Sequence, residues 1–196
     1  MLAHNDRHNL PYRAIVIGGS AGSFQPITKI LAQVPREFPV PIFLCLHRLK
    51  HVRHGFVEAL SIRSLKKVSE PTDKEQIRSN RVYLAPANYH MGVHENQTIC
   101  LSTEPLLNNS RPAIDILFES AAHVYKSQLL GILLSGANRD GAEGMRIINH
   151  FGGTSIVQNP NESMINAMPS AALAASRIDH SLSVDQIIEY LMNLQD

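Results

Sequence analysis

Cysteine is scarce in this 196-residue chain: Cys45 and Cys100 form no framework pattern, which argues against a disulfide-stapled secreted domain. Both lie in apolar runs, where free buried thiols are common, so both are expected in the core. No run approaches the ~18–20 consecutive apolar residues of a membrane span, and no N-terminal apolar stretch resembles a secretory signal. An excess of one charge is missing too. The net charge of +1 offers no electrostatic surface for nucleic acid or for membrane insertion. Internal repeats, low-complexity tracts and linkers are also absent. With 44% hydrophobic and 18% charged residues, what remains is an ordinary soluble domain, expected in the cytoplasm.

Two phosphate-binding patterns fail at the most conspicuous stretch, Ala14-Ile15-Val16-Ile17-Gly18-Gly19-Ser20-Ala21-Gly22-Ser23. A dinucleotide fingerprint needs glycine at 18, 20 and 23, but serine stands at 20 and 23. No Gly-Lys-Ser/Thr follows, so a Walker loop is excluded. What is present is a β-branched apolar run entering a small-residue turn, then a helical pattern over Gln25–Gln33. Such a run suits a strand buried on both faces of a parallel sheet. The turn after it lies at the carboxyl edge, where open α/β folds place ligands. Gly18-Gly19-Ser20-Ala21-Gly22 also fits G-x-S-x-G literally, which makes Ser20 a candidate nucleophile. A tight turn with small residues chosen only for packing is the competing reading.

The rest of the chain alternates strands and helices. Residues 1–12 are polar and are expected to form a loose arm, with one catalytic-type domain over 13–196. Ile42–Leu46 is a second buried strand ending at His47, and a basic loop leads to a helix near Phe56–Ser61. A short strand is expected within Lys66–Pro71. Arg81–Pro86, Tyr89–His94 and Thr98–Ser102 alternate like an antiparallel hairpin or meander inserted around residues 81–102. Ser110-Arg111-Pro112 reads as a helix start. Leu129–Leu134 is a third apolar strand, followed by a small-residue turn through Asp140 and Gly141. A helix over Ala142–His150 ends at Gly152-Gly153, Thr154–Gln158 is another strand, and Pro169–Ala175 a small-residue helix. Ser183 caps the last helix. The fold class is therefore α/β: a doubly wound, mainly parallel sheet with helices on both faces.

Three buried strands thus end in Ser20, His47 and Asp140, residues that share one sheet edge. A serine nucleophile needs a base within reach, histidine titrates in the right range, and an acid on its other nitrogen fixes the tautomer. Histidines at 47, 51 and 54, or at 90 and 94, invite a metal reading. His47-x-x-x-His51 lacks the adjoining glutamate of a zinc peptidase and has basic residues between, so no metal is expected. Asp140 before Gly141 also reads as a plain helix cap.

The order and neighbours of these residues resemble the catalytic domain of chemotaxis protein-glutamate methylesterases, the CheB family. The resemblance runs over residues 13–190. It rests on Ile17–Gly22, Leu46-His47, Val82–His90, Arg111–Ala122, Leu133–Met145 and Ala167-Met168-Pro169. It implies Ser20 as nucleophile, His47 as general base, Asp140 as its orienting acid, and the backbone N–H groups of Ala21 and Ala137 as oxyanion-hole candidates. It also implies hydrolysis of glutamyl methyl esters, with deamidation of glutaminyl side chains by the same apparatus, and no cofactor. The implied partner is a methylated chemoreceptor or similar helical signalling protein.

Against the family pattern, Ala21 replaces threonine, Ser23 glycine, Ala137-Asn138 Met-Gly, and Ser170 arginine. These departures keep two rivals open: a non-catalytic module of the same fold, and a serine esterase for another ester. Asn138 in place of glycine can alter a backbone angle, although asparagine tolerates positive φ better than most residues. Arg48, Lys50, Arg53, Arg63, Lys66 and Lys67 form a basic rim, either merely solvated or, the preferred reading, a docking surface for an acidic, glutamate-rich receptor helix. With 13 residues before the first strand, no N-terminal receiver domain is expected.

Overall fold

The computed structural model describes residues 10–48 and 55–195. In chain order the first half comprises β1 (Ala14–Gly19), α1 (Phe24–Gln33), β2 (Ile42–Leu46), α2 (Phe56–Arg63), β3 (Lys67–Ser69) and β4 (Arg81–Leu84). There follow β5 (His90–His94), β6 (Thr98–Ser102), α3 (Ile114–Tyr125), β7 (Leu129–Leu133) and α4 (Ala142–His150). The chain closes with β8 (Thr154–Gln158), α5 (Ala167–Ala175), β9 (His180–Leu182) and α6 (Val184–Met192). Seven strands form one parallel sheet in the order β3-β4-β2-β1-β7-β8-β9, and β5 pairs antiparallel with β6 in a separate ribbon.

β1 is the central strand, buried throughout. Alternate side chains point to opposite faces, so each strand feeds two cores. Val16, Phe43 and Tyr83 face Leu117 and Phe118 of α3 and Met145 of α4. Ile15, Ile17, Leu44 and Ile132 face Ile27 and Ile30 of α1 and Ile187 of α6. Each fully buried aliphatic side chain of this kind stabilises the fold by about 1.5–3 kcal/mol. Gly18 has no side chain because α3 needs the space: a Cβ there would sit 2.5 Å from Ile114 Cγ2. That close approach brings the head of α3 to the sheet edge.

Several expectations shift. Arg81–Leu84 belongs to the main sheet, where Ile42, Phe43 and Leu44 pair in parallel with Val82, Tyr83 and Leu84. Its last three residues are all buried, so alternation was the wrong period for it, and the antiparallel insertion shrinks to β5 and β6. β9, a short edge strand with two exposed residues of three, carries too little apolar signal to be read from sequence. α3 begins at Ile114 rather than at Ser110–Pro112, because its cap is supplied from elsewhere in the chain. Of the supposed loose arm, residues 1–9 lie outside the described residues, while Tyr12 is buried and bonded through its hydroxyl to Thr154 Oγ1 (2.9 Å) and Tyr190 (2.6 Å). Cys45 is buried as expected, but Cys100 is exposed, on the wet face of the β5–β6 ribbon. No helix among the described residues is long and apolar enough to cross a membrane.

Candidate active site

The chain moves from β1 outward to β2, β3 and β4, then returns to place β7, β8 and β9 on the other side. The crevice at that reversal, beyond the carboxyl ends of the strands, is the usual ligand position in open α/β sheets. Ser20 follows β1, His47 follows β2, and Asp140 lies in the loop after β7.

The β ladders continue past the strand ends and hold two of these residues in register. His47 N–H donates to Gly19 O (3.1 Å), and Ser20 N–H donates to Ser135 O (2.9 Å). Gly22, at φ +83°, turns the chain into α1, and a Cβ there would meet Ser135 Oγ at 2.7 Å. Ser23 tightens the same turn: its Oγ donates to Ser20 O at 2.6 Å. Ser135 is fully buried beneath them. Its Oγ lies 2.9 Å from Ala21 O and 3.0 Å from Ile165 O, and it accepts from Ile165 N–H at 2.9 Å.

His47 Nε2 pairs with Asp140 Oδ2 at 2.7 Å. The Asp140 side chain is wholly buried and the imidazole nearly so. Asp140 also accepts from Ile114 N–H (2.7 Å), Asp115 N–H (3.1 Å) and Asn108 Nδ2 (3.1 Å). It therefore caps α3 across the fold, which explains why that helix needs no local cap, and Gly141 rather than Asp140 is the N-cap of α4. Burial by itself pushes the Asp140 carboxyl up, but the His47 hydrogen bond and the two backbone N–H groups outweigh it and hold the acid below its ordinary range. Asp140 therefore stands as a carboxylate against the imidazole.

Ser20 and His47 line one cavity of about 650 Å³, together with Phe24, Phe56, Leu106 and Arg111. Phe24 and Phe56 meet edge to face at 5.6 Å, forming an apolar lip. With Nε2 committed to Asp140, Nδ1 is the histidine nitrogen left to face a substrate or the serine. Ser20 Oγ makes no hydrogen bond among the described residues. Ala21 lines the cavity, whereas Ala137 is exposed on the neighbouring loop and does not. Among the described residues neither of their N–H groups is engaged in a hydrogen bond.

Asn138 does not take positive φ. Its side chain instead accepts from Asp140 N–H at 3.1 Å, so the residue acts through its carbonyl oxygen rather than its backbone angle. The expected basic rim changes as well. Arg48 is buried in an ion pair with Glu70 and donates to Ala85 O at 2.6 Å. Lys66 is buried with Nζ donating to Phe38 O at 2.6 Å, and burial lowers its pKa to about 8. Arg63 and Lys67 are exposed, and Lys50 and Arg53 lie outside the described residues. His90 is buried as a structural link, with Nδ1 accepting from Ala113 N–H (3.2 Å) and Nε2 facing Pro105 O (3.0 Å).

Sequence reading gave no role to Asp115, Asn108 or Ser135. The available signal was chemical: an aspartate in the first turn of an apolar helix and a serine after an apolar strand are both polar residues at positions that must be buried.

The chain is similar to several known proteins. A protein of Clostridium acetobutylicum named protein-glutamate methylesterase/protein-glutamine glutaminase is 34% identical over 92% of the chain, which spans 52% of that relative. A Leptospira interrogans protein, given the same name provisionally, is 39% identical over 93% of the chain and 95% of its own length. The crystal structure of the Thermotoga maritima CheB methylesterase catalytic domain superposes with a TM-score of 0.88 at 28% identity, covering 93% of this chain and 98% of that one. A family model described as CheB methylesterase matches residues 15–191, and on that match and those relatives the chain belongs to the CheB methylesterase family.

Proposed function

We propose that residues 13–196 act as one catalytic domain, a cytoplasmic serine hydrolase removing methyl esters from glutamyl side chains of chemoreceptor-like helical proteins. The observation that carries this reading is the buried His47–Asp140 pair at 2.7 Å, set on the same cavity as Ser20. Asp140 holds the imidazole with its proton on Nε2. Nδ1 is then the base that takes the Ser20 proton as Oγ attacks the ester carbonyl. The tetrahedral oxyanion is held by the N–H group of Ala21, which lines the cavity, a donor of this type being worth about 2.7–4 kcal/mol in a well-studied protease. Collapse breaks the carbonyl–OCH3 bond, and methanol leaves with the proton from the imidazole. Water then attacks the acyl-serine by the same base and frees glutamate. A glutaminyl side chain passes through the same steps with ammonia as leaving group. This sequence needs no cofactor.

The test is methanol release from methyl-labelled receptor membranes, run beside labelling by a serine-directed phosphonate. The expected result is methanol release and modification at Ser20, both abolished in Ser20→Ala. Release by Ser20→Ala at the parent rate overturns the serine assignment. Ser20-dependent hydrolysis of a simple activated ester with no receptor turnover moves the substrate to another ester.

A further inference from the structure

Behind the triad acid lies a second carboxylate whose bonding exceeds what its helix requires. Asp115 Oδ1 accepts from Gly141 N–H (2.9 Å) and Gly144 N–H (2.7 Å), which caps α4. Its Oδ2 takes no part in that cap. It accepts from Asn108 Nδ2 at 2.8 Å, and the same nitrogen lies 3.1 Å from Asp140 Oδ1. An amide nitrogen carries two hydrogens, so one Asn108 group can serve both acids together. Asn108 sits in a turn closed by Leu107 and Ser110, with Asn108 at φ +50° and Asn109 at φ +61°. Positive φ at both central residues is the signature of a two-residue I′ turn, which favours asparagine.

We propose that Asp115 and Asn108 are positioning residues of the hydrolase: Asp115 Oδ2 orients the Asn108 amide so that its Nδ2, not its oxygen, faces Asp140 and fixes that carboxylate on His47. The assignment rests on the triad reading above.

The chemistry makes an unusual demand. Asp115 Oδ2 and Asp140 Oδ1 both favour Nδ2 inward; without Asp115 that preference rests on Asp140 alone, and the amide oxygen turned inward would set acceptor against acceptor at Asp140 Oδ1. Asp115→Asn forces that outcome. Its own oxygen must stay on Gly141 and Gly144, so its –NH2 replaces Oδ2 and faces the Asn108 –NH2, donor against donor. The Asn108 amide then turns over and repels Asp140. Asn108→Gly is milder, since glycine keeps the positive φ and Asp140 merely loses one of four donors.

The experiment is therefore a double-variant cycle on D115N, N108G and D115N/N108G, read in two ways. The first is kcat and KM for receptor demethylation, with the rate of Ser20 phosphonate labelling. The second is the low-field N–H resonance of the His47 imidazole, which needs no substrate. Loss of an outer hydrogen-bonding partner in a metal site typically costs ~10–100-fold, and D115N is expected to lower kcat in that range with KM within about two-fold. N108G is expected to lose less, and the double variant to return to the N108G level, because no amide remains to invert. The resonance should broaden in D115N and sharpen again in the double variant. Parent-like kcat in D115N, or a double variant whose loss is the product of the two singles, overturns the proposal and leaves Asp115 a helix cap. If the parent neither demethylates nor labels at Ser20, the catalytic reading fails, and the resonance alone decides. Restoration in the double variant then supports the positioning of His47 and Asp140, and its absence overturns it.

Discussion

Asp140 and Asp115 cap each other's helices. The Asp140 carboxylate accepts the backbone N–H groups of Ile114 and Asp115 at the head of α3, and the Asp115 carboxylate accepts those of Gly141 and Gly144 at the head of α4. Each acid thus sits in the positive end of a helix dipole that the other helps to anchor. Two buried negative charges become tolerable side by side, and the loop bearing Asp140 is tied to the helix packed over Gly18.

Asp140→Asn should remove activity and stability together. Either orientation of the amide sets an –NH2 against existing donors or against the imidazole, so the histidine loses its tautomer lock. The expected drop in kcat is about 10³–10⁴-fold, as for the equivalent change in a serine protease triad. Because the folded-state pKa of Asp140 lies below its ordinary value of about 4, its stabilising contribution is present above that pH and fades on further acidification. Urea unfolding should show the parent–variant gap closing as the pH is lowered through this range.

Asp115 carries the opposite sign. Burial, reinforced by the charge of Asp140, outweighs its hydrogen bonds and raises its pKa to about 6. Between about pH 4 and 6 the folded state therefore binds more protons than the unfolded chain, so this group favours folding increasingly as pH falls through that window. Asp115→Asn abolishes the effect. Unfolding at pH 7.5 and pH 5 should show the parent gaining on the variant at the lower pH, and an unchanged difference would refute the assignment.

Gly22→Ala tests the nucleophile turn. The residue has φ +83°, and its Cβ would lie 2.7 Å from Ser135 Oγ and 2.8 Å from Met164 Cβ. Strain at such a position costs about 1–3 kcal/mol. Thermal unfolding should register that loss, and phosphonate labelling of Ser20 should slow with it. Labelling at the parent rate would mean that the turn does not set the Ser20 geometry.

Ser135→Ala removes a hydroxyl bonded to the turn and to the loop before α5. The half-buried Ile165 N–H then loses its acceptor, a cost of about 1 kcal/mol. The variant should unfold at lower urea and turn over more slowly with little change in KM, whereas a parent-like kcat would confine Ser135 to a structural role.

The parts of the fold legible in the sequence were those with strong local signals. β1, β2 and β7 are continuous apolar runs, α4 and α6 carry a glycine stop and a serine cap, and the motif blocks around Ser20, His47 and Asp140 stand in recognisable order. Arg81–Leu84 alternates like a meander strand yet joins the parallel sheet, because strand direction depends on the neighbour it meets, and four residues do not encode that neighbour. The start of α3 was misplaced for a related reason: its cap comes from Asp140, well downstream in the chain.

By itself, then, the amino-acid sequence determined the α/β alternation, the buried strands and which three residues end them, because apolar periodicity and turn chemistry act over a few neighbouring positions. Tertiary structure alone decided that His47 meets Asp140 through Nε2, that Arg48 and Lys66 are buried rather than free on a rim, and that Asp115 and Asn108 stand behind the triad acid. Those relations join residues far apart in the chain, and a hydrogen bond's partner is settled only when packing brings donor and acceptor within about 3 Å.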